Sequence, residues 1–411
     1  MKGRSAAVRF IFVTVVLDVI AMGIIIPVLP QLIRDFLHGD TVQAATMFGV
    51  FGTVWALMQF ICSPIIGMLS DRFGRRRVIL LANFGLGLDY IVMALAPSIG
   101  WLFLGRIVSG ITGASWTTAG AYIADVTPHD ERAKGYGVIG AAWGVGFVLG
   151  PALGGVLGGV DPRLPFWAAA AMTLANAMYG LFLLPESLPP EKRRAFDWKR
   201  ANPVGSLTLL RSHHELFGLS AVNAIYFLAH QAMPSVFVLY AGYRYGWGPR
   251  AVGLTLAVVG VCTAIVQGGF IHKIVTRFGE RRALLAGLGF GTVSYLGWAF
   301  APTGWLGLLA IPFGAMMGLY SPSAQGLMSK RVRPSEQGQL QGANASIMGI
   351  TGMIGPSLFT MTFAKFIDPA GVQLPGAPYF LGALLCALAL VLAWRVTRAE
   401  AAPPEPQLNA G

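Results

Sequence analysis

Apolar residues run in long blocks along this chain, and polar residues gather in the short stretches between the blocks. A transmembrane helix needs roughly 20 predominantly apolar residues to cross a bilayer. The predicted spans cover about 10–29, 45–69, 78–97, 100–124, 135–159, 165–184, 215–240, 250–273, 283–301, 304–328, 338–361 and 377–396. The pattern therefore predicts an all-α membrane protein with twelve transmembrane helices.

Two polar segments interrupt or end this pattern. One, at 185–214, carries Pro189, Pro190 and a cluster of Lys and Arg. The other, at 401–411, is rich in proline and predicts a disordered tail. We expect an N-terminal six-helix bundle at 1–184, a cytoplasmic central loop at 185–214 and a C-terminal six-helix bundle at 215–400.

The composition narrows the class of protein. The chain is 55% hydrophobic and only 12% charged, whereas a soluble domain carries about a quarter of charged residues. This excludes a disordered protein and argues against a cytosolic enzyme. No phosphate-binding loop of the Gly-Lys-Ser type occurs in the sequence, so we expect neither an enzyme nor the use of ATP.

The positive charges lie mostly on one predicted side of the membrane. Of the 30 Lys and Arg residues, 24 fall in the N-terminus, in the loops on the same side and in the C-terminal flank. Because cytoplasmic loops collect Lys and Arg, both termini are predicted to be cytoplasmic, in a multi-pass protein of the inner membrane. The net charge of +12 then needs no nucleic-acid partner.

Several short elements recur at a constant offset of 205 residues. The pairs are Phe73-Gly74 with Phe278-Gly279, Arg76-Arg77 with Arg281-Arg282, Glu131 with Glu336, Gly137 with Gly342, and Gly150-Pro151 with Gly355-Pro356. A shared offset indicates two repeated six-helix halves. In carriers built from such parallel repeats, the substrate site lies near the midplane and the halves rock about it.

Three motifs resemble signatures of the major facilitator superfamily. Residues 67–76 resemble the loop that follows the second helix, residues 105–113 the fourth-helix signature of proton-coupled members, and residues 144–155 the fifth-helix signature of drug antiporters. Residues 17–30, 89–90 and 338–342 are similar to tetracycline/proton antiporters. The resemblance implies multidrug or tetracycline efflux in exchange for protons, and hence antibiotic resistance.

The first motif predicts a conformational gate. Asp71 follows Gly67 by one helical turn and can accept hydrogen bonds from backbone N–H groups or from an arginine such as Arg72, before the turn at Gly74. Alternatively, the arginines only obey the positive-inside rule.

Gly150 and Pro151 predict a second conformational element in the fifth span. A glycine without a side chain and a proline that bends the helix favour a close, bendable helix interface. Plain packing of small residues is the alternative interpretation and is compatible with the first.

Three charges lie clearly within the spans: Asp18, Asp89 and Arg106. A charge at the centre of a transmembrane helix costs about 2.5–3.5 kcal/mol on insertion scales, so such residues normally mark an ion or substrate path. We expect Asp18 to carry the proton, with Arg106 modulating it and Asp89 contributing. The alternative is a structural Asp–Arg pair that locks the first and fourth helices together.

The C-terminal half predicts the substrate site. Its candidates are Asn223, Tyr226, His230 and Phe237 on one face of the seventh span, Gln267 and Gln325 in the eighth and tenth, and Thr117 from the fourth. Aromatic rings with a few polar groups suit an amphipathic organic molecule. The alternative role of each aromatic ring is packing. The alternative for His230 is an interior histidine whose hydrogen bonds are satisfied.

The sequence departs from the tetracycline antiporters at two positions. Where that family has ionisable residues in the eighth and ninth helices, this chain has Thr263 and Gly291. The resemblance thus does not assign tetracycline itself as the substrate.

We expect a monomer in membrane lipid that takes a small molecule and protons, with no metal or other cofactor and the proton gradient as its energy source. Two other functions remain open: an uncoupled or differently coupled facilitator of a metabolite or sugar, and a non-transporting receptor.

Overall fold

The computed structural model describes residues 2–113, 116–127, 132–194, 202, 205–209, 214–333 and 336–398. Within these residues, the N-terminal half contains seven long helices and a short one. They are α1 Lys2–Ile25, α2 Leu29–Phe36, α3 Thr41–Phe73, α4 Arg75–Leu95, α5 Ile99–Gly113, α6 Trp116–Val126, α7 Arg132–Gly158 and α8 Leu164–Leu183. Short 3-10 turns follow at Pro190–Lys192 and Gly205–Thr208 in the central segment.

The C-terminal half is helical too, but its helices are more often interrupted. They are α9 His214–His230, α10 Ala232–Tyr245, α11 Pro249–Ile265, α12 Ile271–Phe278, α13 Glu280–Phe300, α14 Gly304–Gly307, α15 Ile311–Met316, α16 Tyr320–Ser329, α17 Gln337–Ile367 and α18 Ala377–Arg398. A π-helical turn at Val266–Phe270 joins α11 to α12, and 3-10 turns at Leu308–Ala310 and Met317–Leu319 join α14 to α16.

Eleven helical segments of the described chain are long and apolar enough to cross a membrane. The fourth predicted span is described as α5 and α6, on either side of residues 114–115, which lie outside the description. The predicted fold class, an all-α membrane protein of two six-helix bundles, is confirmed. The boundaries of the four chain segments stay predictions, and the tail at 401–411 lies outside the described residues.

The same backbone turn links the second helix of each half to the third. Gly74 has φ of 101° and Gly279 has φ of 82°, and both glycines stand between two helices. A side chain disfavours this left-handed region, which explains why glycine recurs at the 205-residue offset. The repeat seen in the sequence is therefore a repeat of backbone geometry.

Arginine side chains cap the third helix of each half on the side away from the chain termini. Arg163 donates to the carbonyl oxygens of Ala94 (2.9 Å) and Ala96 (3.0 Å). At the matched positions, Arg244 donates to Ala299 O (3.0 Å) and the Tyr245 hydroxyl donates to Ala301 O (3.1 Å). Cations at a helix C-terminus satisfy the last carbonyl groups and stabilise the helix dipole.

The two halves meet through backbone contacts of small residues. A Cβ atom at Gly253 in α11 would lie 2.7 Å from the Cα of Gly155 in α7, and one at Gly52 in α3 would lie 2.7 Å from the Cβ of Pro356 in α17. The Thr53 hydroxyl also donates across the interface to the carbonyl of Met353 (2.7 Å). These contacts lie in the parts of α3, α7, α11 and α17 that are far from the termini.

On the side where the chain termini lie, several glycines of these helices have open space beside them. Nothing lies within 4 Å of a Cβ built on any of seven glycines in this region, which are Gly67, Gly137, Gly140, Gly144, Gly268, Gly269 and Gly338. The contacts between the halves named above therefore lie on the side away from the termini, whereas these glycines have open space on the terminal side.

Candidate functional site

The Asp18 carboxyl group lies against the sixth span rather than against an arginine. Asn176 in α8 donates from Nδ2 to Asp18 Oδ1 (2.8 Å) and to the backbone carbonyl of Thr14 (3.0 Å). Asn176 is fully buried, whereas Asp18 is partly exposed. The predicted proton carrier is thus held by a neutral amide from a neighbouring helix.

Asp89 and Arg106 lie apart from that amide contact. Within the described residues, no ion pair within 4.0 Å joins Arg106 to Asp18 or to Asp89. The Arg106 guanidinium instead lies 5.2 Å from the ring centre of Trp55 in α3, a cation–π contact. Asp89 is 4% exposed, and the Oδ2 atom of Asp89 and the Nε atom of Arg106 are buried without a hydrogen-bond partner among the described residues. An Asp18–Arg106 pair is therefore absent from this conformation.

The matched position in the C-terminal half holds a neutral network. Asn223, which corresponds to Asp18 at the 205-residue offset, donates to Asn344 Oδ1 (2.9 Å). Asn344 in turn donates to Gln325 Oε1 (3.0 Å), and the Tyr320 hydroxyl donates to Asn223 Oδ1 (3.4 Å). Asn223 and Gln325, two predicted substrate residues, are thus linked by hydrogen bonds through Asn344.

A cavity of about 520 Å³ opens in the C-terminal half. Its lining includes Tyr226, His230, Thr263, Gln267 and Ser321, from the seventh, eighth and tenth spans. His230, Gln267 and Ser321 are exposed. A cavity of this size is in the range that accommodates a drug-sized ligand.

Helix irregularities surround this cavity. Gln267 lies in the π-helical turn between α11 and α12, and π-turns occur frequently at functional sites. The Tyr226 ring stacks on Tyr320 of α16, with 3.7 Å between ring centres. The cavity therefore has one aromatic wall, one imidazole and neutral amide and hydroxyl groups.

Two predicted substrate residues do not join this cavity. Phe237 is 1% exposed and packs edge-on against Trp298, with ring centres 5.1 Å apart. Gln231 separates α9 from α10 within the seventh span, and Phe237 lies beyond it, outside the cavity lining. The side chain of Thr117 lies outside the described residues.

The two departures from the tetracycline antiporters differ in their surroundings. Thr263 lines the cavity, whereas Gly291 is buried away from it. A Cβ atom at Gly291 would lie 2.9 Å from the Met317 sulfur and 3.3 Å from the Cys386 sulfur. No group of three or more His, Cys, Asp or Glu side chains able to hold a metal ion occurs in the described chain.

A charged network ties the predicted gate together on the terminal side of the N-terminal half. Arg75 forms ion pairs with Asp71 and with Asp125 in α6, the latter at 3.2 Å, and donates to the Ser70 hydroxyl (2.6 Å). The Glu186 carboxylate accepts from the backbone N–H of Arg75 (2.9 Å) at the start of α4. A carboxylate at a helix N-terminus is stabilising.

The matched pair in the C-terminal half has its charges reversed. Glu280 corresponds to Arg75 and Lys330 corresponds to Asp125, and their side chains lie 2.6 Å apart. The same joint between the third and fourth helices is thus closed by an ion pair of opposite polarity.

The other predicted gating residues take varied positions. Arg72 is exposed, with its guanidinium 5.1 Å from the ring centre of Phe73, and Gly67 has open space around it. A Cβ atom at Gly150 would lie 2.7 Å from the Cα of Gly23 in α1. The carbonyl of Pro151 approaches Gly253 across the interface between halves. Gly150 and Pro151 therefore lie where the fifth span meets both the first span and the opposite half.

Sequence reasoning missed Asn176 and Asn344, although it named other amides within the spans. Asn176 is the single amide of the sixth span, whereas Asn344 follows Gln339 and Gln341 in the eleventh. Polar side chains in a bilayer bond across helices, since lipid offers them no partner.

Two repeated helical halves, one of which holds a drug-sized cavity, define a multi-pass membrane transporter. The chain belongs to the Major Facilitator Superfamily, whose sequence model matches residues 11–356.

Tetracycline resistance proteins are similar to most of the chain. It is 39% identical to the class C tetracycline resistance protein of Escherichia coli over 364 residues, which cover 89% of this chain and 91% of the relative. It is 34% identical to the class B protein of Escherichia coli, over 87% of this chain and 89% of the relative.

Solved structures share the fold. A bacterial homologue of the human lysosomal transporter Spinster, in an inward-facing and occupied conformation, has a TM-score of 0.78 at 18% identity, covering 96% of this chain and 97% of its own. The human organic anion transporter MFSD10 has a TM-score of 0.70 at 22% identity, covering 95% of this chain and 99% of its own. At such identities the likeness concerns the fold alone.

Proposed function

We propose that the protein is a secondary active exporter that exchanges an amphipathic small molecule, with tetracyclines as the first class to test, for protons. It works by alternating access in the inner membrane, with both termini in the cytoplasm. It acts as a monomer surrounded by lipid, needs no cofactor besides the proton gradient and has no nucleic-acid partner. The similarity to tetracycline resistance proteins supports the drug class.

The observation that carries this proposal is the separation of two sites in two halves. Asp18, an acidic group within the membrane, lies in the N-terminal half, and the 520 Å³ cavity lies in the C-terminal half. A buried acidic group can bind a proton in one conformation and release it in another, because burial favours its neutral form and an approaching cation favours its charged form.

The cavity offers binding groups that are neutral apart from His230. An aromatic wall at Tyr226 suits a planar ring system, and the Gln267 amide and Thr263 hydroxyl can orient its polar substituents. We infer that a molecule reaches this cavity from the cytoplasm, since Gly268 and Gly269, next to Gln267, have open space beside them.

The test has two stages. Cells that lack other efflux pumps express the protein and are screened against tetracyclines and chemically unrelated amphipathic drugs. The compound with the largest gain in resistance is then measured in proteoliposomes with an imposed pH gradient. We expect uptake that an uncoupler abolishes and that Asp18→Asn reduces.

Two outcomes would contradict the proposal. Transport that proceeds equally with the uncoupler, and is unchanged in Asp18→Asn, indicates a facilitator without proton coupling. A ligand that binds purified protein without crossing the membrane indicates a receptor.

A further inference from the structure

The amide of Asn176 is bonded to one turn of α1 at two points. Its Nδ2 atom carries two hydrogens, and its two acceptors are Asp18 Oδ1 at 2.8 Å and the Thr14 carbonyl at 3.0 Å. In an α-helix, the carbonyl of residue 14 is also the backbone partner of residue 18. Asn176 therefore fixes the Asp18 carboxyl group relative to the backbone turn that carries it.

The orientation of this amide fits a carboxylate. The Oδ1 atom of Asn176 is buried and has no hydrogen-bond partner among the described residues. Leaving a buried acceptor unpaired costs about 1–3 kcal/mol. The side chain nevertheless directs its N–H groups to α1, the arrangement that an acceptor-only carboxylate demands.

We propose that Asn176 is a positioning residue for proton exchange at Asp18. Its N–H group holds the ionised carboxylate, and its unpaired carbonyl accepts from the protonated carboxyl after the amide turns by half a rotation. An asparagine offers both a donor and an acceptor, whereas a residue that only donates leaves the O–H of the protonated carboxyl group without an acceptor. The role as a proton carrier rests on the proposed function, but the hydrogen bond itself does not.

The first experiment needs no substrate. Infrared difference spectra of the purified full chain, between acidic and alkaline buffer, contain a carboxyl C=O band for each acid that titrates. The Asp18 band is the one that Asp18→Asn removes. In Asn176→Leu we expect this band to move to higher frequency, because the carboxyl group loses a hydrogen-bond partner.

The matched control lies one turn earlier on the same helix. Thr173 is fully buried and its hydroxyl has no hydrogen-bond partner in the described chain. Thr173→Val therefore removes a buried polar group of α8 without removing a bond to α1, and we expect the Asp18 band to stay in place. If Asn176→Leu does not yield folded protein, Asn176→Ala takes its place in the comparison.

The second experiment separates positioning from general damage. With tetracycline as the probe, proton-driven uptake and substrate exchange without a pH gradient are both measured in vesicles. In Asn176→Leu we expect proton-driven uptake to fall about tenfold or more, as for the loss of one charge-assisted hydrogen bond, while exchange is retained. Thr173→Val should retain both activities.

The outcomes distinguish the two proposals. An Asp18 band that does not move in Asn176→Leu or Asn176→Ala overturns the inference, even if Asp18→Asn uncouples transport. A moved band together with proton-coupled transport in Asp18→Asn leaves the hydrogen bond in place but removes Asp18 as the proton carrier. Equal loss of exchange and of proton-driven uptake in Asn176→Leu also overturns the positioning role.

Discussion

In the N-terminal half, Asp18 receives a hydrogen bond from the amide of Asn176, whose other hydrogen bond goes to the backbone carbonyl of Thr14. At the matched position in the C-terminal half, Asn223 joins a chain of amides through Asn344 to Gln325. One backbone plan thus carries a titratable group in one half and a neutral network in the other. The difference supports the proposed division of proton handling and substrate binding between the two halves of a duplicated fold.

The comparison extends to the joint between the third and fourth helices of each half. Arg75 and Asp125 form this joint in the N-terminal half, and Glu280 and Lys330 form it in the C-terminal half with the charges exchanged. Arg75 also contacts Asp71 and Ser70, so among the described residues the N-terminal joint belongs to a larger network. The positions of the ion pair are repeated between the halves, whereas the charges at those positions are exchanged.

The largest effect is expected from substitutions at the matched pair Asp18 and Asn223. Asp18→Asn should lower proton-driven transport by about 10²- to 10⁴-fold, the usual contribution of a positioned proton-transfer group. Asn223→Ala removes a neutral hydrogen bond, so we expect at most about a tenfold weaker apparent affinity with proton coupling retained. Uptake into inverted vesicles under an imposed pH gradient measures both. The division between halves is wrong if Asn223→Ala uncouples transport.

A smaller effect is expected from reversing the two ion pairs. Arg75→Glu with Asp125→Arg places a carboxylate beside Asp71 at a position whose side chain is only 11% exposed, and should destabilise the protein by about 1–3 kcal/mol. Glu280→Lys with Lys330→Glu alters a pair whose Lys330 side chain is 69% exposed, and should change stability by less than about 1 kcal/mol. Unfolding of the purified variants in detergent tests this, and equal losses would show that the two joints are equivalent.

The smallest effect is expected at the helix caps away from the termini. Arg163→Ala removes both bonds to the end of α4, whereas Tyr245→Phe removes one of the two at the end of α13. We expect a loss of about 2 kcal/mol for the first variant and about 1 kcal/mol for the second. The same unfolding measurement checks the order, and a larger loss in Tyr245→Phe would contradict it.

The sequence predicted the helical spans and the repeat because both depend on long-range regularity. Span length follows from bilayer thickness, and the glycines at 74 and 279 recur because their backbone angles exclude other residues. These features need no knowledge of neighbours in space. The fold class was accordingly accessible from the residues alone.

Individual partners were less accessible. Helical periodicity placed Phe237 with Tyr226 and His230, but Phe237 is buried against Trp298, and no periodic signal marks that contact. Arg106 meets Trp55 rather than an aspartate, because contacts between helices depend on packing and not on charge alone. Asn176 escaped notice since a single neutral amide alters hydropathy little. The ion pair of Glu280 and Lys330 was implicit in the 205-residue offset once its N-terminal counterpart was known.

The crossings of α7 with α11 and of α3 with α17 have a consequence for speed. Glycines bring the helix backbones close together at these crossings, as at Gly155 with Gly253, so few long side chains must be reset when the helices separate. Freezing a long side chain costs up to about 2 kcal/mol of conformational entropy, and a crossing with few such side chains reduces that cost. We therefore expect the slow step of the proposed transport cycle to lie at the charged joints or in substrate release, not in the parting of these helices.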